Sequence, residues 1–190
     1  MIALVTGASS GIGRDIAREL AKRKYNIIAV ARNEDALKEL KNELEKEYEV
    51  NVDVRVMDLI DRDGCRKLHD DVKSQYGIID VLVNDAGFGT CGKFTETDLD
   101  KELGMIDTNV VALHILTKLF LIDMVEADKG HILNVASIAG FMPGPLMATY
   151  YSTKSYVVRL TQSIRQELFM QGSHVKISAL CPGPVKTNFN

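Results

Sequence analysis

The run Ile2-Ala3-Leu4-Val5-Thr6-Gly7-Ala8-Ser9-Ser10-Gly11-Ile12-Gly13 decides the fold. A short apolar run bounded by glycine reads as a buried strand. Ile12, Ile16 and Leu20 then recur at every fourth residue, the period of a helix. Strand, glycine turn and helix make the first half of a βαβ unit. Glycines in such a turn let the backbone approach a pyrophosphate closely, and the following helix N-terminus supplies oriented N–H donors and a favourable dipole. The spacing is Gly-x-x-x-Gly-x-Gly rather than Gly-x-Gly-x-x-Gly, and the lysine of a P-loop is missing. Gly7, Ser9, Ser10, Gly11, Ile12 and Gly13 are therefore the candidate phosphate cradle, although glycines alone also fit an ordinary tight turn.

The rest of the chain continues the alternation. Apolar runs at Ile27–Ala31, Ile78–Val83, His131–Ala136 and Val175–Leu180 read as strands, as does the strict alternation Val50, Val52, Val54, Val56. Between them lie stripes of helical period: Leu37, Leu40, Leu44, Tyr48; Cys65, Leu68, Val72, Tyr76; and two long patterns near Leu99–Glu126 and Tyr150–Gln171. Charge pairs such as Glu34/Lys38 and Lys41/Glu45 mark the second helix as solvated on its outer face. Six strands joined by five helical connections predict one α/β domain over residues 1–190, with a parallel sheet wound on both faces. Loops are expected over Phe88–Thr97, Ala139–Thr149 and from Pro182 onward.

Composition narrows the function classes. The 190 residues are 46% hydrophobic and carry a net charge of −3, from 23 basic and 26 acidic side chains. That balance lacks the positive field of a nucleic-acid binder. Cys65, Cys91 and Cys181 are odd in number and widely spaced, which suits a reducing compartment better than a disulfide framework. The four histidines show no metal-ligand spacing, so no metal is expected. The apolar runs read from the sequence are shorter than the roughly 20 residues of a membrane span, and Met1 leads directly into strand 1 with no basic leader. A soluble, cytoplasmic protein is the expectation, with neither membrane nor nucleic acid as partner.

The chemistry gathers where strands end. At the end of strand 2 the chain reads Ala29-Val30-Ala31-Arg32-Asn33. An NAD site wants an acid there for the ribose hydroxyl. Arg32, with Asn33, instead suits a 2′-phosphate. Asn84-Asp85-Ala86-Gly87 ends strand 4 and Ser137 ends strand 5, both at the carboxyl edge where parallel sheets bind ligands. Tyr150 and Lys154, four apart on a helix, share one face. An ammonium beside a phenol favours the phenolate. Asn109 lies inside a long helix, where asparagine is a poor former and needs a reason.

Thr6-Gly7-x-x-x-Gly11-x-Gly13, Asp58, Asn84-x-Ala86-Gly87, Asn109, Ser137, Tyr150-x-x-x-Lys154 and Pro182-Gly183 together resemble the short-chain dehydrogenase/reductase family over the whole chain. Ala86-Gly87-Phe88-Gly89-Thr90 and Pro143-Gly144-Pro145 look like an NADP-linked oxidoreductase subgroup. The resemblance implies a Rossmann-like, doubly wound sheet of strand order 3-2-1-4-5-6 and an enzyme moving a hydride between a nicotinamide and a carbonyl or alcohol. NADP(H) is the cofactor it favours, with NAD(H) the alternative. It implies Tyr150 as general acid or base, Lys154 as the group that lowers the Tyr150 pKa and binds the nicotinamide ribose, Ser137 on the substrate oxygen, and Asn109 holding a water linked to Lys154. Asp58 and Leu59 would border the adenine. Asn84, Ala86 and Gly87 would line the middle of the cofactor, and Pro182, Gly183, Val185 and Thr187 its nicotinamide end. A non-catalytic NADP(H)-sensing or interaction module is the rival reading.

Asp85 stands where the family usually has asparagine, which is expected to weaken a sheet-supporting hydrogen bond and to carry no chemistry. The apolar Gly140–Ala148 loop, with Met142 and Met147 flanking the cleft, suggests an apolar or medium-chain carbonyl. Leu113, Leu116, Leu119, Phe120, Val157, Leu160 and Ile164 exceed what one sheet face can cover, so a homodimer is expected, a tetramer being the alternative. Relatives continue past the position of Thr187 with a substrate lid and a seventh strand, both apparently absent here. A longer protein, with a mobile lid and a further strand beside strand 6, is therefore expected.

Overall fold

A computed structural model of the protein describes residues 1–184. Six parallel strands, β1 (Ile2–Thr6), β2 (Asn26–Ala31), β3 (Val52–Val56), β4 (Val81–Asn84), β5 (His131–Val135) and β6 (Lys176–Leu180), form one sheet. Their order is β3-β2-β1-β4-β5-β6, as expected. The reversal of direction lies between β1 and β4, so the carboxyl ends of these two strands border the crevice in which doubly wound sheets bind ligands. Val185 and Thr187 lie outside the described residues.

Helices cover both faces. On one side α1 (Gly11–Lys22) and α2 (Glu34–Tyr48) bury Ala17, Ala21, Leu37, Leu40 and Leu44 against Ala3, Val5, Ile27 and Ala29. On the other, α3 (Arg62–Tyr76), the helical stretch before β5 and α6 (Ala148–Met170) meet Leu4, Ile28, Leu82 and Ile132, the alternate residues of the same strands. Local chemistry starts the elements where it should: Asn33 caps α2 and Asp61 caps α3 through their side-chain oxygens.

The pattern over Leu99–Glu126 is not one uniform helix. It runs as α4 (Leu99–Ile106), a π-helical stretch Asp107–Ala112, and α5 (Leu113–Glu126). At 28 residues and a mean hydropathy of 1.6 in its most apolar window, it is by length and composition apolar enough to cross a membrane, although its uninterrupted apolar runs are short. In this fold it lies against the sheet. Its Asn109, Thr117 and Asp123 are buried and hydrogen-bonded. Of the residues expected to be left over for a partner, Leu113, Leu116, Phe120 and Val157 are buried within the chain. The exposed large apolar side chains of these helices are others: Leu99, Leu103, Ile106, Ile122 and Val125, with Tyr156, Phe169 and Met170 on α6.

A polar ladder crosses the core between β4 and β5. The Asn84 amide nitrogen donates to Asn134 Oδ1 (2.9 Å) and Thr117 Oγ1 (3.0 Å), and the Asn134 amide donates to Thr161 Oγ1 (3.0 Å). It ties both strands to α5 and α6. Asn134→Ala strands these buried partners and is expected to cost roughly 2–4 kcal/mol. A urea denaturation with a lower midpoint and unchanged slope checks this.

Candidate active site

The glycine turn owes its shape to closeness. Gly7 and Gly11 have φ of 71° and 55°, where a side chain is strained. A Cβ on Gly13 would lie 2.6 Å from the Gly7 carbonyl oxygen and 2.6 Å from an Asp85 carboxylate oxygen, so only glycine lets α1 start this near β1 and β4. Gly13 is thus buried packing, whereas Gly7, Ser9, Ser10, Gly11 and Ile12 face an open cleft of about 920 Å³.

That cleft collects most of the expected residues. Arg32, Asn33, Asp58 and Leu59 form one end, Ala86 and Gly87 the middle, and Ser137, Tyr150, Lys154, Pro182 and Gly183 the other. Arg32 is exposed, its guanidinium 3.6 Å from Asp58 Oδ2. Asn84 departs from expectation: its side chain turns inward to the polar ladder, away from the cleft lining. Its Oδ1 is buried with no hydrogen-bond partner among the described residues.

Lys154 is buried, and its ammonium donates to the Val135 carbonyl oxygen (2.8 Å) at the end of β5. Burial pulls its pKa down to about 8, while the Asp85 charge pushes the other way. Ser137 caps a 3₁₀ turn (Ile138–Phe141), its hydroxyl oxygen accepting from the Ala139 amide (3.1 Å). Its hydroxyl also bonds the Tyr150 side chain. Burial raises the Tyr150 phenol above its ordinary pKa, and the bond to Ser137 pulls the other way. The expected lowering by Lys154 is not the deciding effect in this geometry: the ammonium lies 5.9 Å from the Tyr150 ring centroid.

Asn109 has its reason. The π-helical stretch carries it toward β4, where its Oδ1 accepts from the Phe88 amide (3.1 Å) and its Nδ2 donates to the Phe88 carbonyl (2.9 Å) and Thr153 Oγ1 (3.2 Å). Both amide hydrogens are therefore used inside the protein, and Asn109 buttresses the cleft rather than lining it. Thr153, which no motif marked, donates to the Tyr150 carbonyl (2.7 Å) and carries that buttress to the first turns of α6. Tyr151 and Ile138 also line the cleft without a sequence signal that set them apart, and so does Phe88 of the Ala86–Thr90 segment. Met147 does so as expected, whereas exposed Met142 does not.

Known proteins resemble this chain in sequence and fold. The family model described as short chain dehydrogenase matches residues 1–190. An NADP-dependent 3-hydroxy acid dehydrogenase of Schizosaccharomyces pombe is 36% identical over 190 residues, covering 98% of this chain and 72% of that protein. A short-chain dehydrogenase from Sphingobium yanoikuyae, solved with NADPH, superimposes with a TM-score of 0.92 at 30% identity, over 99% of this chain and 72% of that one. A Burkholderia phymatum relative solved with NAD gives 0.93 at 28% identity, over 99% and 67%. A glycine turn packed on β4, a buried lysine behind a tyrosine and a serine, and a family match along the whole chain agree: this is an oxidoreductase of the short-chain dehydrogenase family.

Proposed function

We propose that the protein is an NADP(H)-dependent oxidoreductase that interconverts an apolar carbonyl compound and its alcohol, with Tyr150 as the general acid or base. The observation that carries this reading is one continuous cleft with the glycine turn and Arg32 at one end and Ser137, Tyr150 and Lys154 at the other. A dinucleotide fits the residues present: Gly7, Ser9, Ser10, Gly11 and Ile12 line the cleft, and Gly7 and Gly11 take positive φ angles that turn the backbone there without a side chain. When bound, the nicotinamide supplies or accepts the hydride.

The chain's own residues hold and move the proton. The Tyr150 phenol carries its proton at neutral pH and can donate it to a carbonyl oxygen as negative charge develops there. In oxidation the same oxygen takes the proton back. The Ser137 hydroxyl donates a hydrogen bond that steadies the substrate oxygen. Lys154 adds positive charge from behind, and the Asn109–Thr153 buttress keeps the start of α6 in place.

Preference for NADP(H) rests on Arg32. Its exposed pairing with Asp58 is weak and leaves the guanidinium available for a 2′-phosphate. NADP-bound relatives support this choice, and the NAD-bound one keeps NAD(H) as the alternative. The apolar character of the substrate rests on Phe88, Ile138, Met147 and Tyr151 in the cleft wall. We also infer a homodimer through the exposed apolar residues of α4, α5 and α6, and a reducing, cytoplasmic location from the free thiols of Cys65, Cys91 and Cys181.

Three measurements test these assignments. Tyr150→Phe is expected to lower kcat by roughly 10²–10⁴ with NADPH affinity within about threefold of wild type; near-normal turnover removes Tyr150 from the chemistry. Arg32→Ala should weaken NADPH binding by about 10- to 100-fold, the span of a charge-assisted hydrogen bond, and barely change NADH binding. Fluorescence titration of both nucleotides distinguishes this from a general loss. Light scattering at micromolar concentration should return twice the mass of the chain, and a monomer rules out the proposed interface.

A further inference from the structure

The end of the cleft that holds Tyr150 is walled by the loops that follow β4 and β5. Phe88 comes from the first, Ile138 and Met147 from the second. The two loops are joined: the Gly92 amide donates to the Leu146 carbonyl oxygen (2.8 Å). Leu146 has a φ of 66°, in the left-handed region where a leucine is strained. Its side chain is exposed, so packing does not hold it in that conformation. The bond to Gly92 does. At Gly92 a Cβ would lie 2.8 Å from Thr97 Cγ2, so the other end of the bridge has no room for a side chain. The loop after β5 is also tied to α6, where Ser155 Oγ donates to the Gly140 carbonyl (3.0 Å).

Between these two ties the loop receives one side chain of α6. A Cβ on Gly144 would collide with the Tyr151 ring, so the ring sits on bare backbone. The seat is continuous with the start of the helix. The Met147 amide donates to the Gly144 carbonyl (3.1 Å), and the Tyr151 amide donates to the Met147 carbonyl (3.0 Å). Tyr151 lines the cleft, and its ring stands edge-on to that of Tyr150, with centroids 6.1 Å apart and planes at 78°.

We propose that Tyr151 is a specificity-determining residue: seated on Gly144, in a loop that the Gly92–Leu146 bridge holds, its ring limits the size of the group beside the reacting carbonyl. This rests on the reading of Tyr150 as the proton donor. A carbonyl oxygen within hydrogen-bond reach of the Tyr150 hydroxyl brings the groups on its carbon close to whatever flanks that phenol. Tyr151 is a flank with no room to retreat, because the Gly144 backbone lies behind it and both ends of the loop are tied. A wall that does not yield rejects a larger group by overlap and still admits a smaller one.

A series of methyl ketones, with the second group growing from methyl to isopropyl to phenyl, tests this with NADPH as reductant. Tyr151→Ala should raise kcat/KM for the phenyl ketone relative to the smallest one by about 10-fold or more, with NADPH affinity within about threefold of wild type. Tyr151→Phe keeps the ring and should keep the wild-type ratio. Gly144→Ala pushes the ring toward the cleft and should move the ratio the opposite way. Gly92→Ala disturbs the bridge without touching substrate and should weaken the discrimination. An unchanged ratio in Tyr151→Ala overturns the assignment. So does an equal fall for every ketone, which would show support of the helix start alone. A Tyr151→Phe ratio that follows Tyr151→Ala would assign the effect to the hydroxyl and overturn the role of size. A wild type that binds NADPH and reduces none of the ketones refutes the proposed activity itself, and the size limit falls with it.

Discussion

The site depends on one costly arrangement, an ammonium buried at the carboxyl edge of the sheet. Lys154 is held there by a strand-end carbonyl, that of Val135. A charge taken out of water destabilises the fold unless its surroundings compensate. The compensating carbonyl comes from the end of β5, which pairs with β4 in the sheet. Parallel pairing brings Asn84 level with Asn134, and so sets the residues that follow them side by side.

From that arrangement the cleft takes its form. α6 must start where Lys154 can reach Val135, and Tyr150, one turn earlier, then stands beside Ser137. Thr153 and Asn109 secure the same turn from the other side. The π-helical stretch matters here. One such turn shifts the helix face, and turns of this kind recur at functional sites. It lets a helix whose apolar residues pack on the sheet still direct one amide onto the Phe88 backbone.

The glycine turn is the second fixed point, and Asp85 lies against it. Its carboxylate occupies space that any side chain at Gly13 would need. Asp85, which stands where the family pattern has asparagine, also lines the cleft. A difference in one atom from asparagine gives a group that titrates, and burial moves that titration toward neutral pH.

Much of this was legible in the chain. Strand–glycine–helix punctuation and the periods of two and 3.6 residues are local properties, and they determined the six strands, their alternation with helices and the doubly wound class. Tyr150-x-x-x-Lys154 is local too, because a helix fixes the face that both share. What side chains do across the sheet was not legible. Asn84 read as a cofactor residue, yet it turns inward because Asn134 and Thr117 offer it partners from other elements. Leu113, Leu116, Phe120 and Val157 read as surplus for a partner, and the packing of α5 and α6 on the sheet covers them. The lowering of Tyr150 by Lys154 followed from spacing, whereas the balance of burial against charge depends on depth and distance. Depth and distance exist only once the strands have brought residues far apart in sequence together; that part the tertiary structure decided.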